Sequence, residues 1–172
     1  MAEKERTDVL ERLVAAHGSF YDIRRDCPFE GRIFPAIAEF HTYGEQYVLV
    51  KRAKLWEVSS HDFMFFESLE TLDEELLRAE IEFMTTKGLR KVDAGPNHMS
   101  SALSLVIITD ECTDEALRIA KKTRFRKNHR LGLRGWTDLR LAVVDLSRNT
   151  VTTNAAGTKL TSVLEGNLAL VK

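Results

Sequence analysis

The pattern of apolar and polar positions begins with a helix. Apolar residues recur at helical spacing over residues 2–17, and Gly18 follows at the position of a C-terminal cap. Residues 19–31 mix aromatic, acidic and proline residues without a clear period. The sequence therefore predicts an amphipathic N-terminal helix, followed by an ordered connection.

Three strand-like segments come next. Residues 32–42, 46–58 and 62–67 are rich in β-branched and aromatic side chains, and the links between them are of hairpin length. They predict a three-strand antiparallel meander. Pro35 cannot donate a backbone hydrogen bond, so the first of these strands is expected at an edge of the sheet.

A second helix is predicted over residues 71–87. Thr71 and Glu74 have the spacing of a capping box, and Gly88 follows as a C-terminal cap. The apolar residues of this helix form two stripes: Leu72, Leu76, Ala79 and Phe83 in one, and Leu77, Ile81 and Met84 in the other. One stripe should cover the sheet, and the other should meet the N-terminal helix or a second subunit.

The second half of the chain predicts a central strand and a hairpin. Residues 101–109 form the most hydrophobic strand-like segment, as expected of a strand buried on both faces. A helix over 113–127, a hairpin of strands 136–146 and 151–154, and a terminal helix over 158–168 follow. The fold class is therefore α+β: a mixed, mainly antiparallel β-sheet with two to three helices packed on it.

Composition supports a single globular domain over residues 1–172. The chain is 44% apolar and 30% charged, with a formal net charge of −1. Its two cysteines are far apart and outside any CxxC spacing, which fits a reducing, cytoplasmic compartment without a disulfide framework. The longest apolar run is far shorter than the roughly 20 residues that span a bilayer, so no membrane partner is expected.

Sequence motifs exclude several common activities. No P-loop, GxGxxG or GxSxG motif is present, and the five histidines show no metal-binding spacing. No cofactor and no metal are predicted. His98 lies in a loop before the central strand, where functional sites cluster, and is a candidate on that ground.

The predicted order of elements allows an enzyme as an alternative. Helix, three antiparallel strands, helix and strand is also the core order of restriction-endonuclease-like nucleases, which use carboxylates, a divalent metal and a lysine. Candidate residues in the right region are Glu45, Lys51, Lys54, Glu57 and His98. However, no predicted strand offers the usual Asp/Glu-x-Lys spacing.

Charge is distributed very unevenly along the chain. Residues 118–134 contain eight basic residues and no acidic one, whereas residues 57–82 contain nine acidic residues and one basic. Guanidinium groups and the backbone N–H groups of the loop 129–135 could hold an anion, and Phe125 and Trp136 could stack on a base. The predicted anion-binding residues are Lys121, Lys122, Arg126, Arg130 and Arg134.

The charge asymmetry also permits a structural interpretation. The basic helix could simply face water, or it could pair with the acidic helix in the same molecule or across a dimer. A homo-oligomer is therefore expected, through this pairing or through the second apolar stripe of the 71–87 helix.

Several patches resemble a family of small bacterial proteins known only as a domain of unknown function. They are residues 47–56, His98-Met99, Gly135-Trp136, and Thr153-Asn154 with Gly157. The resemblance implies a bacterial cytoplasmic origin and no particular activity. Polar or amphipathic residues within these patches suggest a pocket: Lys51, Lys54, Trp56, His98 and Asn154.

Taken together, these features favour a noncatalytic binding or interaction domain for an anionic ligand, which could be a nucleic acid. The alternatives are a metal-dependent nuclease or other hydrolase, and a purely structural homodimer.

Overall fold

The computed structural model describes residues 2–47 and 54–171, with side chains described for residues 2–41 and 60–170. Within these residues the chain forms four α-helices and seven strands. The helices are α1 (Ala2–His17), α2 (Glu74–Thr86), α3 (Asp114–Lys122) and α4 (Thr161–Leu168). The strands are β1 (Asp22–Phe29), β2 (Arg32–Tyr47), β3 (Lys54–Leu72), β4 (His98–Cys112), β5 (Arg126–Asn128), β6 (Trp136–Asp145) and β7 (Thr150–Thr153).

All seven strands belong to one sheet, in the order β1-β2-β3-β4-β6-β5, and β7 also pairs with β6. The β3–β4 and β4–β6 pairs are parallel, and the other four pairs are antiparallel. The predicted α+β class with a mixed, mainly antiparallel sheet is therefore confirmed. The central position of the strand containing residues 101–109 is also confirmed, and there is one more helix than predicted.

The meander exists, but its strands differ from the predicted ones. Residues 43–45 and 59–61, predicted as turns, lie inside β2 and β3. The segment interpreted as a connection contains β1, which pairs with β2 through a tight turn at Glu30-Gly31, where both residues have positive φ. Such turns usually carry Asn-Gly or Asp-Gly, so Glu-Gly gave no turn signal in the sequence. Strand β1 is largely exposed and has no continuous apolar face, so it gave no strand signal either.

The prediction for Pro35 was wrong for a related reason. Strand β2 lies between β1 and β3 rather than at the edge. In the pairing of β1 with β2, Arg25 is opposite Ala36 and Cys27 is opposite Phe34. Asp26 and Pro35, which lie between these pairs, are not paired, and Asp26 has a φ of 45°. This irregularity accommodates a proline, which has no N–H to donate, inside the sheet.

The helices cover the sheet on both faces. Helices α1 and α4 pack with Ala38, Met64, Phe66, Val106 and Val144 on one face. Helix α2 packs with Phe34, Phe65, Leu105 and Leu141 on the other, beside α3. Side chains of a strand alternate between the two faces, so each parallel strand contributes to both cores.

The second predicted helix differs from expectation in its cap and its neighbours. Asp73 caps it by accepting a hydrogen bond from the Leu76 amide, in place of Thr71. Leu77 and Met84 are fully buried against the sheet while Ala79 is exposed. Since α1 lies on the opposite face of the sheet, α2 cannot meet it and packs beside α3 instead.

Helix α3 ends at Lys122, five residues before the predicted end. The Thr123 amide closes its last turn, and the chain then becomes extended to form β5, which pairs with β6.

Among the described residues, none of the helices is both long and apolar enough to cross a membrane.

Asn154 connects the end of β7 to the centre of β6. Its side chain is 1% exposed. The Oδ1 atom accepts from the amides of Leu141 (3.0 Å) and Gly157 (2.8 Å), and Nδ2 donates to the carbonyls of Leu139 (2.9 Å) and Thr123 (3.2 Å). The side-chain amide therefore bonds four backbone groups, and the residue also lines a cavity beside β6.

We predict that Asn154→Ala lowers the free energy of unfolding by about 3 kcal/mol, because it leaves buried backbone groups without partners. Urea denaturation followed by circular dichroism measures this change. Asn167→Ala, which removes a single exposed hydrogen bond within α4, is the matched control and should be nearly neutral. Equal effects of the two substitutions would contradict the role assigned to Asn154.

Candidate ligand-binding site at the amino ends of the parallel strands

The amino-terminal parts of β3, β4 and β6 carry polar side chains, although these strands are apolar further along. Because the three strands are parallel, their amino ends meet at one end of the sheet. Asp62, Ala102 and Asp138 lie in one row across the three strands, and His61, Ser101 and Thr137 lie in the next. The first row points to the face of α1 and α4, and the second to the face of α2.

On the α1 and α4 face, two adjoining cavities form what we call the basic groove. Their volumes are about 660 Å³ and 370 Å³, and both are lined by Arg126, Asp138, Arg140 and Lys159. Arg124 lines the larger cavity. Asp62 and Trp136 line the smaller one. Four cations and two carboxylates therefore surround the groove, which leaves it with an excess of positive charge.

Ion pairs hold two of the three arginines of the groove. Arg126 donates two hydrogen bonds to Asp138, at 2.6 Å and 2.8 Å, and its guanidinium lies 5.2 Å from the centre of the Trp136 ring. Arg140 donates to Asp62 at 2.9 Å. Arg124 and Lys159 form no ion pair with any residue that the structure describes, so their charges are available to a ligand.

Tyr21 completes the support of Asp62. Its hydroxyl donates to the Asp62 carboxylate at 2.9 Å. Burial raises the pKa of Tyr21 above its ordinary value, and the charge of Asp62 raises it further. The phenol therefore stays protonated and remains a donor, which holds Asp62 in place beneath Arg140.

On the α2 face, a cavity of about 500 Å³ is lined by His41, His61 and His98 with Glu39, Lys91 and Asp93. We call it the histidine cavity. Lys91 forms an ion pair with Glu39 in the lining of this cavity, and the Glu39 carboxylate also lies 3.5 Å from the Arg24 guanidinium. The cavity is therefore polar, but its carboxylate at residue 39 is already neutralised by cations.

Four of the five histidines form a continuous array, although the sequence separates them widely. His41 and His61 share a hydrogen bond between their Nδ1 atoms at 2.7 Å. The rings of His61 and His98 are stacked with centroids 6.1 Å apart, and His98 and His129 meet edge to face at 5.3 Å. In the bond between His41 and His61, one Nδ1 donates and the other accepts, so the accepting Nδ1 carries no hydrogen. If both rings were protonated, both Nδ1 atoms would carry hydrogen and the bond would be lost.

Two rings of the array have pKa values below the ordinary histidine value. Burial lowers the pKa of His61, and the charges of His41 and His98 lower it further, against the opposing effect of Asp93. Burial likewise lowers the pKa of His129, with contributions from His98 and Lys127. Both rings therefore resist protonation in the folded protein.

His98 connects two of the sequence patches. Its Nδ1 lies 2.6 Å from the Arg134 carbonyl, which can only accept, so this nitrogen carries the hydrogen. Its Nε2 lies 2.7 Å from the Ser101 hydroxyl. Directly beside it, Gly135 has a φ of 69°, and a Cβ there would lie 1.9 Å from the Met99 carbonyl oxygen. His98-Met99 and Gly135-Trp136 thus form one tightly packed junction.

The structure disperses the predicted anion-binding residues. Only Arg126 lines the basic groove. Lys121 and Lys122 are exposed in the last turn of α3, Arg130 is exposed in the loop 129–135, and Arg134 donates to the Ala94 carbonyl at 3.3 Å.

The loop itself does not present its amides as expected. The N–H groups of Gly132, Leu133, Arg134 and Gly135 all donate to carbonyls within residues 129–132. These four amides are therefore engaged within the loop itself. Within the described residues, moreover, no ion pair joins the acidic segment to the basic one, so the two do not neutralise each other by direct contact.

Other predicted site residues lie partly outside the described residues. Lys51 is outside them, and so are the side chains of Glu45, Lys54, Trp56 and Glu57. The pocket and nuclease predictions that involve them stay predictions. In the described part of the chain, no group of three or more histidine, cysteine or acidic residues is arranged to hold a metal ion.

Sequence reasoning singled out Arg126 and Trp136, which line the groove, but it missed Asp62, Asp138, Arg140 and Lys159. Asp138 and Arg140 interrupt the apolar pattern of β6 on one face, which was a usable signal. Tyr21, Asp62 and Lys159 carry no such signal, because they reach the site only through the sheet register and the turn after β7.

Comparison with known protein families identifies a match over most of the chain. The family model DUF8052, described as a domain of unknown function, matches residues 5–166. The resemblance to a family without an assigned activity, seen in the sequence, is thereby confirmed. No curated protein and no solved structure matches the chain.

We predict that Gly135→Ala costs at least about 3 kcal/mol of stability, because it combines an unfavourable φ with overlap between its Cβ and the Met99 backbone. Gly132 also has a positive φ, but a Cβ added there would have nothing within 4 Å. Gly132→Ala should therefore cost only about 1–2 kcal/mol in thermal denaturation experiments. A Gly135 variant as stable as the Gly132 variant would contradict the packed junction.

The lowered pKa values of His61 and His129 predict that stability falls with acidification. Between each folded pKa and the ordinary value near 6.5, the unfolded chain binds more protons than the folded protein. The melting temperature should therefore decrease as the pH falls from about 7.5 to about 5. His61→Gln should flatten this decrease, and an unchanged pH profile in that variant would refute the coupling.

Proposed function

The chain belongs to the DUF8052 family, a domain of unknown function, and we propose that it is a binding domain for a phosphate-bearing anionic ligand that occupies the basic groove. The observation that carries this proposal is the groove itself, where two adjoining cavities share Arg126, Arg140 and Lys159. Their volumes lie within the range of about 300–1,000 Å³ that is common for small-molecule sites.

Preorganised charge supports binding of an anion. Asp138 and Asp62 hold Arg126 and Arg140 in fixed orientations, so little side-chain freedom is lost when a ligand binds. The remaining donors of each guanidinium can contact phosphate oxygens. Arg124 and Lys159 add the charge that exceeds the two carboxylates.

Trp136 provides a second kind of contact. Arg126 lies over its indole ring, and the ring lines the smaller cavity. An indole next to cations favours a planar group attached to the phosphate, since bases stack on aromatic rings. A nucleotide or a short single-stranded nucleic acid therefore combines both features that the groove offers.

The proposed role is binding rather than catalysis. Both carboxylates of the groove are engaged with its arginines, and such pairs orient a ligand without supplying a nucleophile. The nuclease alternative depends on Glu45, Lys51, Lys54 and Glu57, for which the structure describes no side chains.

Trp136 fluorescence provides the test. In a Trp56→Phe background it is the one remaining tryptophan. Titration with adenosine monophosphate, pyrophosphate and a short oligothymidylate should change its emission, with an affinity that decreases as salt increases. Arg124→Ala/Lys159→Ala should weaken binding about tenfold or more, because two phosphate contacts are lost.

Lys4→Ala/Lys87→Ala is the matched control, because it removes the same charge from exposed positions on other elements. It should leave the affinity nearly unchanged. An equal loss in both double variants would show nonspecific attraction, and the absence of any response to all three ligands would refute the proposal.

A further inference from the structure

The loop between β5 and β6 exposes two leucines. Leu131 is 100% exposed and Leu133 is 84% exposed, at the tip of residues 129–135. Met99, whose backbone packs against Gly135 at the base of this loop, is 50% exposed. The two leucine side chains therefore project into solvent at the tip of the loop.

The tip is held in an unfavourable backbone conformation. Arg130 and Leu131 have φ values of 47° and 56°, and the Gly132 amide closes their turn on the His129 carbonyl at 3.1 Å. Both central residues of such a turn are normally Gly, Asn or Asp, which tolerate positive φ. A leucine at this position is destabilising for the fold, so its presence calls for a role outside the fold.

The chain on either side of the tip carries charge of one sign. Between Glu115 and Asp138 the sequence contains no acidic residue. Lys127 and Arg130 are exposed close to the leucines in the sequence, and Arg124 is exposed just before β5. The loop is therefore an apolar tip flanked in the sequence by cations.

We propose that the loop 129–135 docks the protein onto an anionic membrane surface, inserting Leu131 and Leu133 at the headgroup boundary while Lys127 and Arg130 bind lipid phosphates. Side chains that project this far into solvent favour a bilayer over a folded protein partner, because a bilayer deforms around an apolar tip and needs no complementary pocket. Leucine is also under-represented among the residues that dominate protein interfaces, whereas apolar insertion with basic flanks is typical of interfacial binding.

This proposal replaces the expectation that no membrane partner exists, which rested on the lack of a spanning segment. Docking at a surface needs no such segment. It does not depend on a ligand in the basic groove.

Leu131→Asn separates the fold from the docking function. Asparagine tolerates a positive φ, so this variant should be at least as stable as the wild-type protein in thermal denaturation. Its partition onto vesicles made of equal parts phosphatidylcholine and phosphatidylglycerol should fall about tenfold, because one apolar side chain no longer inserts. Co-sedimentation of the full chain with these vesicles measures the partition.

Two controls make the test specific. Ile33→Asn removes a side chain that is 71% exposed at the opposite end of the sheet, and it should bind these vesicles like the wild-type protein. Arg130→Gln should weaken binding about fivefold on the mixed vesicles and have little effect on phosphatidylcholine alone.

The proposal is overturned if the wild-type protein does not prefer the anionic vesicles, or if Leu131→Asn and Ile33→Asn bind them equally well. It is also overturned if Leu131→Asn abolishes binding to polyglutamate while vesicle binding is unchanged, because the tip would then recognise an acidic polypeptide.

Discussion

The parallel pairing of β4 with β3 on one side and β6 on the other determines how the rest of the molecule is arranged. It places Phe65, Leu105 and Leu141 in one buried row and aligns the polar amino ends of all three strands. A shift of one residue in the register of either pair would move every side chain of the shifted strand to the opposite face of the sheet. Such a shift would disrupt the packing of both apolar cores. The register that builds the cores therefore also assembles the candidate sites.

The two faces at this end of the sheet have different chemistry. On one face, carboxylates fix arginines next to an indole, which produces an electropositive groove. On the other face, imidazoles from neighbouring elements contact each other, and burial together with these neighbours lowers the pKa values of His61 and His129. Asp62 and His61 are adjacent in sequence but belong to opposite faces, so alternation along a single strand supplies both environments.

Several polar or glycine residues that stand out in the sequence have structural roles. Asn154 bonds four backbone groups, and a side chain at Gly157 would lie 2.7 Å from the Leu141 carbonyl oxygen. His98 and Gly135 hold the start of β4 against the start of β6. These residues position the groove and the loop 129–135, and Asn154 also lines the larger cavity of the groove.

The sequence by itself determined the class of the fold, the central strand and most helices, because these follow from local apolar periodicity and capping residues. It also located the basic segment. Only the tertiary structure decided that β1 exists, that Pro35 lies inside the sheet, and that Asp62, Arg140 and Lys159 share a groove with Arg126. Those outcomes depend on strand register and on contacts between residues far apart in the chain, and a pattern read along one sequence contains no information about either.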